Sequence, residues 1–328
     1  MNSNKSCENV VTRTERKRLS IVIPCYNEEQ VLRKFYRRLT DALKCIADTE
    51  REIIFINDGS IDRTAQILSE FAAHDPCVKI IHFSRNFGHQ AAISAGINCC
   101  KGDFALIIDA DLQDPPELIP ELFREIQKEK VSVVYCVRRT REKESPVKKF
   151  SAHTFYLFLN YLSEEPFPID TGDFRIINSK VIDAFKCFKE KRKYVRGIIS
   201  YMGFRQKPFY YDRKERVAGK TKYSLKKMVR LAADAMLYFS KKPLVLAVNL
   251  GFISIAAGLL YAIWIVCVKI FRLSFTVPGW ASLALLIIFF GGIQLITIGI
   301  VGQYIGVLFD EIKNWPEYII DKIEQGKA

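Results

Sequence analysis

Two stretches without a formal charge constrain this chain more than any other feature. From Leu244 to Val268, and again from Leu273 to Phe309, there is no Asp, Glu, Lys or Arg. A helix needs roughly 20 apolar residues to cross about 30 Å of hydrocarbon, and each stretch is longer than that. Neither shows the alternation of a helix that buries one face in a soluble core. A two-helix transmembrane anchor is therefore expected over residues 243–309. Flanking charge sets its orientation: Lys226, Lys227, Arg230, Lys241 and Lys242 precede the first stretch, whereas the linker offers only Lys269 and Arg272. The N-terminal part is expected on the cytoplasmic side of the inner (plasma) membrane. Two crossings would return a tail, residues 310–328 with Lys313 and Lys322, to that same side. Met1 to Arg18 is polar and basic, so no cleavable leader is expected and the first span would act as the insertion signal.

Ahead of the anchor, short apolar runs alternate with helical periodicity. Leu19–Pro24, Glu52–Asn57, Val78–Phe83, Phe104–Asp109 and Val131–Val137 read as buried strands. Val31, Phe35, Leu39, Leu43 and Ala47 recur every four residues, as do Leu118, Leu122 and Ile126. This alternation predicts an α/β domain over residues 19–223, a doubly wound, mainly parallel sheet that follows a polar tail at 1–18. Such sheets bind ligands beyond the carboxyl ends of their strands. The polar motifs fall there: P-C-Y-N-E-E after the first strand, N-D-G-S after the second, S-R-N-F-G after the third and D-A-D-L-Q-D-P-P-E after the fourth. Further on, Arg141, Lys143, Lys148 and Lys149 form a basic loop before an aromatic helical stretch, Phe150–Leu162. Residues 224–242 interleave Leu225, Met228, Val229 and Leu231 with Lys226, Lys227 and Arg230, the pattern of an interfacial amphipathic helix and equally of a buried domain helix.

Asp109-Ala110-Asp111 carries the strongest chemical signal. Two carboxylates leaving a strand end can share a divalent cation, which in turn neutralises a diphosphate. A lone D-x-D is ambiguous, because acidic residues at strand ends also cap helices, a role open to Asp114 before Pro115-Pro116. Its weight grows when Pro24-Cys25-Tyr26-Asn27-Glu28-Glu29 and Asn57-Asp58-Gly59-Ser60 occupy equivalent strand ends upstream.

Together these motifs resemble family-2 glycosyltransferases of the GT-A fold. S-R-N-F-G-H-Q-A-A-I-S-A-G-I, D-A-D-L-Q-D-P-P-E-L-I and D-T-G-D-F-R, followed by two terminal spans, resemble its polyprenyl-phosphate branch, which includes bactoprenol glucosyltransferases and dolichol-phosphate mannose synthase. The resemblance runs from Leu19 to the second span. It implies that Pro24, Tyr26, Glu28 and Asp58 line the nucleoside pocket, and that Asp109, Ala110 and Asp111 meet the donor diphosphate. Asp109, Asp111 and Gln113 would hold Mg²⁺ or Mn²⁺. Asn57 stands where many relatives have an Asp. Arg216, Lys220 and Lys222, in a segment like R-x-x-G-x-[ST]-K-Y, would face the donor diphosphate, with Gly219 permitting a tight turn. Arg138, Lys148 and Lys149 would receive the lipid phosphate. Asp173 in T-G-D-F-R is the candidate acceptor-side carboxylate and Asp170 the runner-up, a structural Asp173, ion-paired to Arg175 or capping the turn at Gly172, being the alternative.

The implied activity is inverting, metal-dependent transfer of one sugar from a nucleotide-sugar to a polyprenyl (undecaprenyl) phosphate. UDP-glucose is the first expectation for the donor, ahead of UDP-N-acetylglucosamine, UDP-galactose and GDP-mannose. A formal net charge of +13 suits anionic lipid and a phosphorylated substrate. It would suit nucleic acid too, but no nucleic-acid recognition motif accompanies it. Nine scattered cysteines without a C-x-x-C pair read as reduced thiols. His74, His82, His89 and His153 lack metal-ligand spacing and are expected to be packing or surface residues. A processive polysaccharide synthase would carry Q-x-x-R-W, which is absent. A non-catalytic membrane scaffold that binds a nucleotide would have no need of Asp109, Asp111, Asp173 and Lys222 together, and a transporter would need more than the isolated Asn249 and Gln294 within the spans. Glycines at 291, 292, 299, 302 and 306 would permit close helix contact in a homo-oligomer.

Overall fold

The computed structural model describes residues 17–138, 171–190, 193–212, 242–270 and 279–326. The basic loop, residues 224–241 of the expected amphipathic helix and the segment around Gly219 lie outside them. The chain comprises a sheet unit, built from residues up to 140, 170–219 and 317–328, and a second unit that holds the apolar helices.

The sheet unit is built on eight strands in the order β7-β5-β6-β4-β1-β2-β3-β8. In chain order these are β1 (Lys17–Cys25), β2 (Thr49–Asn57), β3 (Val78–Phe83), β4 (Phe104–Ile107), β5 (Val133–Arg138), β6 (Thr171–Asn178), β7 (Gln206–Tyr211) and β8 (Ile320–Gln325). Helices α1 (Leu32–Lys44), α2 (Thr64–His74), α3 (His89–Cys99), α4 (Ile119–Lys128), α5 (Ser179–Cys187) and α6 (Val195–Tyr201) connect and cover them. Strand residues alternate between two apolar layers. Ile21, Ile23, Ile53 and Phe55 pack with α1, α2 and α4, while Val22, Ile54 and Ile56 pack with α3, α5 and α6. Burial on both faces is why these strands read as continuous apolar runs rather than alternating ones. In α1, Phe35, Leu39 and Leu43 are buried as the period requires, but Ala47 falls beyond the helix and Ile46 is buried in its place.

Two strands refine the expectation of a doubly wound, mainly parallel sheet. β6 runs antiparallel to both β4 and β5, and β8 pairs antiparallel with β3, so the sheet is mixed. An apolar run does not encode strand direction. The C-terminal residues also depart from the expected tail. The polypeptide leaves the last helix through Asn314 at φ +50°, and Ile320–Gln325 then forms an edge strand. Asp321, Lys322 and Glu324 make it a charged edge, which discourages pairing with other chains. Tyr318 just before it stacks on Phe83 with ring centroids 5.0 Å apart.

The second unit contains α7 (Lys242–Ile270) and α8 (Gly279–Ile312), which contact each other. Leu286–Phe309 within α8 is long and apolar enough to cross a membrane, with a mean hydropathy of 2.0. The apolar stretch of α7, Ala247–Tyr261, is shorter. Many large apolar side chains on both helices are exposed, among them Phe252, Leu260, Ile288 and Leu295. Apolar surface on that scale is unusual in a soluble protein, and it accords with α8 as a candidate membrane-spanning helix.

Candidate active site

The first two expected loops are laced together at the ends of β1 and β2. The Asp58 N–H donates to the Cys25 carbonyl at 2.9 Å, and Asn27, at φ +56°, accepts from the Ile61 N–H through its side chain at 3.0 Å. Thr64 Oγ1 takes the Glu28 N–H at 2.8 Å, while the Glu28 carbonyl receives the Val31 and Leu32 N–H groups and starts α1. Gly59 adopts φ +63°, and a Cβ there would collide with the backbone of Arg85 and Asn86, so the N-D-G-S turn needs glycine. Pro24 is buried within β1, in register with Ile56, whereas Tyr26 is exposed at the strand end.

The Asp58 carboxylate, expected at the nucleoside, organises the next loop: it accepts from the Phe87 N–H at 2.7 Å, the Gly88 N–H at 3.0 Å and the Asn86 amide at 3.0 Å. Burial raises its pKa, and those backbone bonds oppose the rise. The consequence is a fixed path for S-R-N-F-G, with Gly88 at φ +104° delivering the chain into α3 and placing His89 and Gln90 at the helix start.

There they meet β6. His89 Nε2 lies 3.1 Å from Asp173 Oδ2 and 3.5 Å from Asp109 Oδ1. Arg196, from α6, grips Asp173 with both arms, Nε at 2.6 Å from Oδ1 and an NH group at 3.0 Å from Oδ2. The Gln90 amide lies 3.4 Å from the same Oδ2, and its oxygen accepts the Val195 N–H at 2.9 Å. Burial acts to raise the Asp173 pKa, but the hydrogen bonds and charges of His89 and Arg196 hold it well below the usual carboxylate range. Arg175, the alternative partner read from sequence, turns away to the Gly172 carbonyl at 3.1 Å, and its burial lowers its pKa to about 10.

Asp109 is the opposite case. Its Oδ1 is buried with no hydrogen-bond donor, and burial pushes its carboxyl up to about 6, with His89 pulling it down and Asp173, Asp114 and Asp111 pushing it further up. Burial also acts to lower the His89 pKa, but the Asp109 charge and the Asp173 hydrogen bond carry it up to about 9. Beyond Asp109, Leu112 is fully buried at φ +62°, a costly conformation for a branched side chain, and it marks a tight turn. In that turn Asp111 Oδ1 accepts the Gln113 N–H at 3.0 Å. Asp114 accepts from the Tyr211 hydroxyl rather than serving only as a helix cap.

Among the described residues, no three His, Cys, Asp or Glu side chains form a ready metal cage. The donor set still fits a divalent cation of the Mg²⁺ type, which is held by one or two carboxylates and completes its shell with phosphate oxygens and water. An unsatisfied buried carboxylate oxygen on Asp109, with Asp111 two residues on, is the chemistry that such an ion compensates. Of the other expected site residues, Arg138 closes β5 in register with Tyr211. Lys148, Lys149, Asp170, Arg216, Lys220 and Lys222 lie outside the described residues. Sequence reasoning missed His89, taken for a packing or surface residue, and it missed Gln90 and Arg196 entirely. The only available signal was the G-H-Q run directly behind a strand-end motif.

A family model described as glycosyl transferase family 2 matches residues 20–186. The chain is similar to the uncharacterized glycosyltransferase YkcC of Bacillus subtilis (strain 168), 47% identical over 92% of this chain and 93% of that protein. It is also similar to the SfII prophage-derived bactoprenol glucosyl transferase of Shigella flexneri, 36% identical over 94% and 99% of the two chains. Among solved structures it is similar to glucosyl-3-phosphoglycerate synthase from Mycobacterium tuberculosis in complex with Mn²⁺, UDP and glucosyl-3-phosphoglycerate. That match has a TM-score of 0.48 at 16% identity, covering 67% of this chain and 78% of that one. The protein belongs to glycosyl transferase family 2. It is a glycosyltransferase with a GT-A-like mixed sheet and a candidate membrane-spanning helix.

Proposed function

We propose that the enzyme transfers a single glucose from UDP-glucose to a polyprenyl phosphate such as undecaprenyl phosphate, with inversion, at the cytoplasmic face of the membrane. The observation that carries this reading is the facing pair of strand ends, where the uncompensated Asp109 lies within one His89 side chain of the fully compensated Asp173. The full-length likeness to a bactoprenol glucosyl transferase supports the choice of sugar and acceptor.

A divalent ion held by Asp109 and Asp111, with Gln113 beside them, would neutralise charge on the departing diphosphate. The chain's own residues account for the rest. Asp173 is held ionised by Arg196 and His89, which makes it a poor base and a good fixed point. A phosphate monoester needs no strong base, since its second pKa of about 6 leaves it largely dianionic near neutrality. Its oxygen would attack the anomeric carbon as the bond to the UDP oxygen breaks, giving the inverted glycosyl phosphate and UDP. Arg196 and His89 supply positive charge at the mouth in which this happens.

The sheet supports an even number of membrane crossings. β7 precedes the apolar helices in sequence and β8 follows them, yet both belong to one sheet. A folded sheet cannot straddle a bilayer, so if α8 crosses then α7 must cross as well, although its apolar stretch is the shorter. The test of the whole reading is an assay of the purified protein in detergent with undecaprenyl phosphate, Mg²⁺ or Mn²⁺, and radiolabelled UDP- and GDP-sugars. Label from UDP-glucose should enter the organic phase and should be lost in Asp111→Ala. Transfer from a different donor would refute the choice of sugar, and no transfer from any donor would refute the choice of acceptor.

A further inference from the structure

Among the described residues of the sheet unit, a buried charged cluster stands apart from the two carboxylates and has had no part in the chemistry so far. Glu317 follows α8 and precedes β8. Its Oε2 accepts from Ser94 Oγ at 2.9 Å and lies 3.4 Å from Lys193 Nζ, which is itself 3.4 Å from Ser94 Oγ. Ser94 is fully buried, and the side chains of Lys193 and Glu317 are only 6% and 11% exposed. Taking such a pair out of water is costly, and apolar side chains of similar size often serve stability as well or better. A reason beyond stability is therefore needed, and the cluster's place in the fold supplies one.

Ser94 lies on α3, one turn after Gln90 and five residues after His89. Lys193 lies three residues ahead of Arg196. Every side chain that holds Asp173 thus sits on one of the two segments that Glu317 joins. Gln90 already links them, through the Val195 N–H on one side and Asp173 on the other. Glu317 is itself firmly placed. Its neighbour Tyr318 stacks on Phe83 and accepts from the Asn98 amide at 3.3 Å, and the Ile319 carbonyl takes the Ser84 N–H at 3.0 Å.

We propose that Glu317 is a positioning residue for sugar transfer: by bridging Ser94 and Lys193 it fixes α3 against the start of α6 and so aims His89 and Arg196 at Asp173. The inference rests on the site reading given above. It gives Glu317, between α8 and β8, a part in positioning the site without touching the reacting atoms.

The test is Glu317→Gln in the full-length protein in detergent, with hydrogen–deuterium exchange and steady-state transfer measured side by side. Both are run at pH 8, above the value of about 7 to which burial pushes the Glu317 carboxyl against the pull of Lys193 and Ser94. Exchange should quicken in residues 193–201 and 89–94 while α1 and β2 stay unchanged. kcat should fall about tenfold with the donor KM within about twofold, and Glu317→Asp should recover part of the loss. Ser94→Ala should move both readouts the same way by a smaller factor, and it carries the test if Glu317→Gln does not fold. Unchanged exchange in those two segments, or loosening spread evenly over the sheet with kcat and KM failing together, would overturn the proposal. Exchange needs no substrate, so local loosening in a protein whose wild type transfers no sugar would refute the function reading and leave the bridge standing.

Discussion

Asp109 and Asp173 occupy adjacent strand ends, share one histidine, and differ in almost everything else. Asp173 accepts a bidentate arginine and the His89 ring, and it is held well below the ordinary carboxylate range. Asp109 has a buried oxygen with no donor and is pushed up to about 6. The first carboxylate is completed by the protein's own side chains. The second is the one that the proposed divalent ion would complete. Two acids of one chemical type thus take two roles through their surroundings alone.

The sharpest way to break this contrast is to remove the arginine. Arg196→Met leaves Asp173 buried without its main partner, a change that typically costs about 3–5 kcal/mol. It should lower the melting temperature clearly and abolish transfer. Retention of the wild-type melting temperature would mean that Asp173 is not completed by Arg196.

Asp109→Asn should act in the opposite sense. It relieves an unfavourable buried charge, so the melting temperature without metal should hold or rise, while transfer falls about 100-fold, equivalent to roughly 2.7 kcal/mol of barrier. A lower melting temperature together with normal transfer would place Asp109 among structural acids.

The shared histidine gives a smaller, pH-dependent effect. Its folded pKa, about 9, lies above the ordinary value of 6.5. The stability it contributes is therefore fully present below pH 6.5 and is lost as pH rises through 9. Melting curves of wild type and His89→Gln should differ most at pH 6 and converge by pH 10. A gap that widens with pH would mean that the ring is neutral in the folded protein.

Gln113→Ala should matter least. Its described contact to Asp111 is through the backbone N–H, which alanine keeps, so transfer should change by no more than about threefold. A larger loss would assign the amide side chain to the metal or donor.

Much of this arrangement can be read before folding, for stated physical reasons. Runs such as Leu19–Pro24 announce strands because both faces of the sheet are covered, and a D-x-D at a strand end announces a charged ligand because open α/β sheets bind there. β6 resists the same reading, since its apolar pattern carries no direction. β8 resists it because a six-residue edge strand with Asp321, Lys322 and Glu324 resembles a solvated tail. The Asp173 clamp is invisible for another reason. His89 and Arg196 are 84 and 23 residues away from it in sequence, and only the strand order brings them together. The loop contacts of Asp58 were not legible either, because two of its partners are backbone N–H groups, which no side-chain motif records.

The most direct measurement is Mn²⁺ binding in the presence of UDP, by titration calorimetry on the wild type, Asp109→Asn and Asp173→Asn. Asp109→Asn should lose the ion, whereas Asp173→Asn, though less stable, should bind it within a few-fold of wild type while transferring no sugar. Wild-type Mn²⁺ affinity in Asp109→Asn, or equal loss in both variants, would contradict the division of labour between the two carboxylates.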